Sequence, residues 1–139
     1  MTDDRCPDCD GEVVPFTVPE DLREHAPEEA SAASICATCL GVDAADGPEP
    51  DGDAELARVL DSFPTGEAGV ALALLLGTLP SVALCRESAV ALRERAEREG
   101  ADVALALDRL IVAADAGTLE PAFDLGRRVA QFESLAERS

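Results

Sequence analysis

The chain reads CPDCDG at residues 6–11 and CATCLG at residues 36–41, so one pattern, C-x-x-C-x-G, occurs twice, with 26 residues between the two cysteine pairs. Two residues between paired cysteines allow a tight turn to direct both sulfur atoms toward one metal ion, and four thiolates close a tetrahedron around Zn²⁺. A glycine follows each pair and suits such a turn, because glycine adopts positive φ without steric cost. The predicted ligands of one structural zinc ion are Cys6, Cys9, Cys36 and Cys39.

The four-cysteine set also bears on catalysis. Structural zinc sites use four protein ligands, whereas catalytic zinc sites keep one position open and commonly use histidine or carboxylate ligands. The set therefore indicates a structural ion, and we expect the protein not to be an enzyme. Iron is the alternative metal, because four cysteines suit iron as well.

A thiol redox protein is the enzymatic alternative. A reactive C-x-x-C pair is typical of a helix N-terminus in a βαβ unit, where the thiol pKa is lowered, and neither pair has that sequence context. The fifth cysteine, Cys85, lies on an apolar helix seam and is predicted to be a small buried hydrophobic residue. The single histidine, His25, falls in a polar stretch and is predicted to be solvated, with a spare metal ligand as the alternative.

The composition is strongly acidic. The chain has 29 acidic and 11 basic residues, a net charge of −18, and every basic residue is arginine. Such a surface repels itself in dilute buffer, whereas at 1 M salt the Debye length falls to about 3 Å and screens the repulsion. We therefore expect a salt-adapted, halophilic protein of the cytoplasm, where thiols stay reduced. An acidic protein from a GC-rich genome is the alternative.

No membrane or export segment is expected. Residues 1–5 are acidic where a signal peptide carries positive charge. The longest apolar region, residues 70–85, is interrupted by Gly77 and Pro80 and is shorter than the ~20 residues of a membrane-spanning helix. This region is predicted to be buried core.

The chain divides into three predicted parts. Residues 1–41 are predicted to form the zinc ribbon, with strands at 12–18 and 31–35 and a helical turn or two at 19–25. Residues 42–53 are predicted to be an acidic linker, because they carry five acids, two prolines and two glycines without apolar periodicity. Residues 54–139 are predicted to be the helical domain.

Apolar spacing in the third part predicts five helices in a compact bundle. The first follows a capping Asp53, the second follows Thr65, and the third covers about residues 81–99. The fourth is capped by Asp102 and ends at Gly117, and the fifth opens near residues 118–121. The second helix is apolar around its whole circumference, which is typical of the centre of a bundle. The predicted fold class is α with a small N-terminal β zinc ribbon.

Nucleic-acid binding is disfavoured by the charge pattern. Phosphate binding requires a basic patch, and the ribbon has only Arg5 and Arg23. The largest arginine cluster lies on the third predicted helix, where interleaved glutamates largely neutralise it. A solvated helix face is the stronger interpretation of this cluster, whose members are Arg86, Arg93, Arg95 and Arg98.

The order CPDCDG, VVPFTVP and ICATCLG over residues 6–41 resembles the zinc-ribbon segment of small uncharacterised proteins of halophilic archaea, in which a ribbon precedes a helical region. This resemblance implies a structural zinc ion and no established activity. Zinc ribbons more broadly occur in transcription and translation machinery, so a nucleic-acid-associated accessory factor is the alternative function. The preferred interpretation is a non-enzymatic zinc protein that acts through contacts with a protein partner.

Overall fold

A computed structural model of the chain describes residues 6, 9–45 and 56–137. Three strands are followed by four α-helices: β1 (Val13–Thr17), β2 (Ala32–Cys36), β3 (Val42–Ala44), α1 (Gly66–Thr78), α2 (Arg86–Arg98), α3 (Val103–Asp115) and α4 (Leu125–Glu137). Short 3₁₀ turns cover Glu20–His25, Pro27–Glu29, Leu56–Arg58 and Leu79–Ser81. The predicted class, a mostly helical chain with a small N-terminal sheet that carries the cysteines, is confirmed.

The strands form one antiparallel sheet in the order β1-β2-β3. Val14 pairs with Ile35, and Ile35 pairs in turn with Val42. In β1 the buried residues Val14 and Phe16 alternate with more exposed ones, as expected for a strand with one face on the core. The two predicted strands are confirmed. Residues 42–44, the start of the predicted linker, instead form β3, because the turn at residues 36–41 returns the chain alongside β2.

The remaining linker residues, 46–53, and the predicted cap Asp53 lie outside the described residues. The described part of the first predicted helix contains only the turn Leu56–Arg58. The third predicted helix begins at Arg86 because the chain around Pro80 forms a separate 3₁₀ turn. The fifth begins at Leu125, where the Asp124 carboxylate accepts a hydrogen bond from a backbone amide of the first turn.

Two predicted helix ends are confirmed. The Asp102 side chain caps α3 by accepting a hydrogen bond from the Leu105 amide at 3.1 Å. Gly117 follows α3 with a φ of 82°, the left-handed conformation that glycine adopts most readily. Helix α1 is the centre of the bundle, with ten of its 13 residues buried, so its all-round apolar pattern is also explained.

The sheet and the helices share one hydrophobic core. Phe16 and Ile35 from the sheet belong to the same buried cluster as Leu75 of α1 and Phe132 of α4. Helix α1 packs against both α2 and β3. A Cβ atom on Gly77 would lie 3.0 Å from the Cβ atom of Val42, so glycine permits this close contact between helix and strand. The described parts of the two predicted domains pack together. Whether residues 1–41 and 54–139 fold as separate units stays a prediction.

Within residues 6, 9–45 and 56–137, no helix combines the length and the hydrophobicity of a membrane-spanning segment.

Candidate metal centre

The two C-x-x-C-x-G stretches, which we call the first knuckle (residues 6–11) and the second knuckle (residues 36–41), share two backbone hydrogen bonds among their described residues. In the first, the Cys6 amide donates to the Gly11 carbonyl at 2.8 Å, and the Asp10 amide donates to the Cys6 carbonyl at 2.9 Å. The second knuckle repeats these bonds at equivalent positions, at 2.9 and 3.1 Å. The repeated sequence pattern therefore gives both knuckles equivalent backbone hydrogen bonds, and the two knuckles present cysteines from two sides.

Positive φ occurs at the residue before each glycine rather than at the glycine itself. Asp10 has a φ of 61° and Leu40 a φ of 63°, so the predicted reason for Gly11 and Gly41 is wrong. The left-handed conformation is uncommon for leucine and costs of the order of 1 kcal/mol or more. Leu40 is completely buried, and the packing of its side chain offsets that cost.

Close approach explains the knuckle glycines: Gly11 lies against the other loop, and Gly41 lies against a sulfur atom of its own loop. A Cβ atom on Gly11 would lie 2.7 Å from Thr38 Oγ1 and 3.1 Å from Cys36 Sγ. A Cβ atom on Gly41 would lie 3.3 Å from Cys39 Sγ. The absence of a side chain at both positions allows the backbone to pass beside the sulfur atoms.

The four cysteines predicted as ligands lie together. All four Sγ atoms fall within 4.8 Å of one another. The Cys6 and Cys39 sulfurs are 3.7 Å apart, and the Cys9 and Cys36 sulfurs are 3.4 Å apart. Zn–S bonds of about 2.3 Å in a tetrahedron place sulfurs about 3.8 Å apart. The observed distances and the soft thiol donors therefore fit a tetrahedrally coordinated ion such as zinc.

Most of the four cysteine side chains are shielded from solvent. Cys6, Cys36 and Cys39 are buried, and Cys9 is exposed. Burial raises the pKa of the Cys39 thiol far above its ordinary value; a backbone hydrogen bond with Gly41 opposes that shift, and hydrogen bonds with the other three thiols add to it. A bound cation reverses the effect of burial, because it stabilises the thiolate directly.

Backbone amides also support a thiolate at Cys36. The amides of Thr38 and Cys39 each donate to Cys36 Sγ at 3.4 Å. Hydrogen bonds of this kind orient a metal ligand and stabilise its negative charge. The second knuckle thus supplies Cys36 together with the backbone amides that hold its sulfur atom in place.

The loop between α3 and α4, residues 116–124, binds the second knuckle through its main chain. The Glu120 amide donates to the Thr38 carbonyl at 2.8 Å, and the Ala122 amide donates to the Cys39 carbonyl at 3.1 Å. Leu119 of this loop is buried. Sequence reasoning missed the contact, because main-chain bonds between segments some 80 residues apart leave no residue signature. The candidate site therefore includes this α3–α4 loop as well as the knuckles.

Two other predicted features lie outside the cysteine cluster. Cys85 precedes α2 and is partly exposed rather than fully buried. The predicted solvation of His25 is wrong, because its side chain is only 14% exposed. Its Nδ1 atom lies 2.8 Å from Ser88 Oγ, and this hydrogen bond ties the turn Glu20–His25 to α2.

The arginine cluster on α2 is only partly a solvated face. The Arg95 side chain is 14% exposed and forms ion pairs with Asp21, with Glu67 at 3.0 Å and with Glu99 at 3.4 Å. The guanidinium carbon of Arg93 lies 5.5 Å from the centroid of the Phe132 ring. These two arginines therefore join the helices to each other and to the N-terminal part.

No curated protein and no solved structure is significantly similar to the chain. One family model matches residues 5–136, and its description is a family of unknown function (DUF6276). The matched span includes both knuckles and extends into the last turn of α4. The chain therefore belongs to this uncharacterised family.

Proposed function

We propose that this chain is a non-enzymatic cytoplasmic protein in which Cys6, Cys9, Cys36 and Cys39 hold one structural Zn²⁺ ion, and that it acts through contacts with other proteins. The observation that carries the proposal is the convergence of all four sulfur atoms within 4.8 Å. Four thiol ligands leave no open coordination position, which is the arrangement of structural rather than catalytic zinc.

The ion would stabilise more than the ribbon. Structural zinc contributes an apparent ~10–16 kcal/mol in zinc-finger peptides. Here the second knuckle is bonded to the α3–α4 loop through the carbonyls of Thr38 and Cys39. A metal ion that stabilises this knuckle would therefore also stabilise the α3–α4 loop.

The surroundings of the cysteines support a structural role over thiol redox chemistry. The first C-x-x-C pair is followed by β1 and the second by β3. Neither pair lies at the N-terminus of a helix, the position that lowers a thiol pKa in redox proteins.

The arginine contacts support protein partners over nucleic acid. Arg95 already neutralises three carboxylates, and Arg93 lies against Phe132. The α2 cluster thus offers few free cations to phosphate groups in a chain of net charge −18. A nucleic-acid-associated accessory factor remains the alternative function, and binding would then require high salt or a larger complex.

Native mass spectrometry with elemental analysis tests the metal proposal on protein purified in molar KCl without added metal. The variants are Cys6→Ser and Cys36→Ser, with Cys85→Ser as the matched control because Cys85 lies outside the cluster. We expect one zinc per chain in the wild type and the control, and loss of zinc in both cluster variants. Five freely titrating thiols and no metal in the wild type would overturn the proposal.

A further inference from the structure

Helix α3 differs from its neighbours in its solvent face. The exposed positions of α2 are all charged, namely Arg86, Glu87, Glu94, Glu97 and Arg98. In α3, by contrast, Leu105 is 44% exposed and Val112 is 59% exposed. These two residues are seven positions apart, so they lie on the same side of the helix. Two exposed aliphatic side chains on one side of a helix form a continuous apolar surface, which is typical of a contact site.

Two opposite charges flank the aliphatic pair. At about 100° per residue, Val112 lies about 20° from Leu105, Asp108 about 60° to one side and Arg109 about 40° to the other. Within the described part of the chain, neither Asp108 nor Arg109 has an ion-pair partner. We call these four residues the α3 stripe. The stripe therefore has an apolar centre, an unpaired acid on one edge and an unpaired base on the other.

We propose that the α3 stripe binds a second copy of this chain, with the two α3 helices side by side and parallel. A two-fold axis along the helices places opposite edges of the two stripes together, so Asp108 of each copy faces Arg109 of the other. Leu105 and Val112 then pack against their own counterparts. A two-fold axis perpendicular to the helices would bring Asp108 against Asp108, so charge complementarity selects the parallel arrangement.

The dimer is expected to be weak and salt-dependent. One helix face buries less than the ~800 Å² per partner of a standard stable interface. Each copy also carries a net charge of −18, so the copies repel each other in dilute buffer. At 1 M salt the Debye length of about 3 Å screens this long-range repulsion and leaves the short-range apolar contacts. This inference rests on the proposed function because it names one partner for a protein that acts through contacts.

Sedimentation velocity of the full chain, purified with its native metal, tests this proposal over a concentration series at low salt and in 2 M KCl. We expect a concentration-dependent dimer in 2 M KCl and at least a tenfold weaker association for Val112→Glu and for Asp108→Arg. The charge-swapped double variant, Asp108→Arg with Arg109→Asp, should recover association. Leu84→Glu is the matched control, because Leu84 is 91% exposed but lies outside α3.

Three results would overturn the proposal: a monomer at every concentration and salt, a Val112→Glu variant that dimerises as well as the wild type, or an equal loss in Leu84→Glu. Far-ultraviolet circular dichroism and metal analysis on the same samples keep the two proposals separate. A wild-type chain that stays monomeric with helicity and zinc intact would refute only the self-association. Absence of zinc from the wild type would instead refute the proposed function.

Discussion

The Gly11→Ala substitution tests how the two knuckles fit together. The added Cβ atom would meet the Thr38 side chain at 2.7 and 2.9 Å and Cys36 Sγ at 3.1 Å. Rotation of the Thr38 hydroxyl does not relieve the contact with Thr38 Cβ, because the Thr38 carbonyl is held by the Glu120 amide. The knuckles must therefore move apart, and the sulfur atoms separate with them.

Overpacking of this kind costs about 1–3 kcal/mol. If the cost falls on the metal-bound state, it corresponds to a loss of zinc affinity of about five- to 150-fold, since ~1.4 kcal/mol is one factor of ten. Urea unfolding in molar KCl would measure the free energy of unfolding, and competition with a chromogenic chelator would measure zinc affinity. Gly41→Ala should have a smaller effect, because its nearest contact is 3.3 Å.

Gly126→Ala is the control for Gly11→Ala. Gly126 lies in α4 and has nothing within 4 Å of an added Cβ atom. The same chemical change should stabilise the protein there by up to about 1 kcal/mol through helix propensity. Equal free energies of unfolding and equal zinc affinities for the two variants would refute the argument that the glycines serve close approach.

Three further predictions concern the rest of the molecule. Arg95→Met should lower the free energy of unfolding by about 1–2 kcal/mol in a urea titration, because three carboxylates lose the cation that they share. The loss is limited because these carboxylates are partly solvated. An unchanged urea midpoint would contradict this prediction. The melting temperature followed by circular dichroism should rise markedly from low salt to molar KCl, whereas a flat response would remove the inference of salt adaptation. Acidification should release the zinc with proton uptake, measurable with a metal indicator, because protons compete for the thiolates; retention below pH 4 would argue against four thiolate ligands.

The cysteine cluster could be predicted from the sequence because its information is local. The C-x-x-C-x-G spacing specifies each loop, and both loops form with the same hydrogen bonds. The strand at β1 followed from its β-branched residues and the one at β2 from its place directly before the second knuckle. Helix α3 followed from its regular apolar spacing and the cap at Asp102. In each case the residues that determine the conformation lie within a few positions of one another.

The remaining features depend on contacts between distant segments. Strand β3 has only three residues, too few for their alternation to indicate a strand, and it forms because β2 offers an edge for it. Residues 118–121 were predicted to open a helix because Pro121 suits that position, yet the Glu120 amide binds the second knuckle instead. His25 looked solvated from its polar neighbours, and it is covered because Ser88 of α2 lies beside it. Local propensity was overridden in all three places by a partner that the sequence alone does not identify.

The central position of α1 explains why a ribbon and a helical bundle occur together in one chain. A helix with apolar residues on every side must be covered on every side, and ten of the 13 residues of α1 are buried. Helix α2 packs along part of this surface, and β3 packs where Gly77 meets Val42. A fragment limited to residues 54–139 would expose that side of α1 to water, so we expect it to lose much of its helical circular dichroism signal. Full helicity in the isolated fragment would show that the sheet is not needed as a cover.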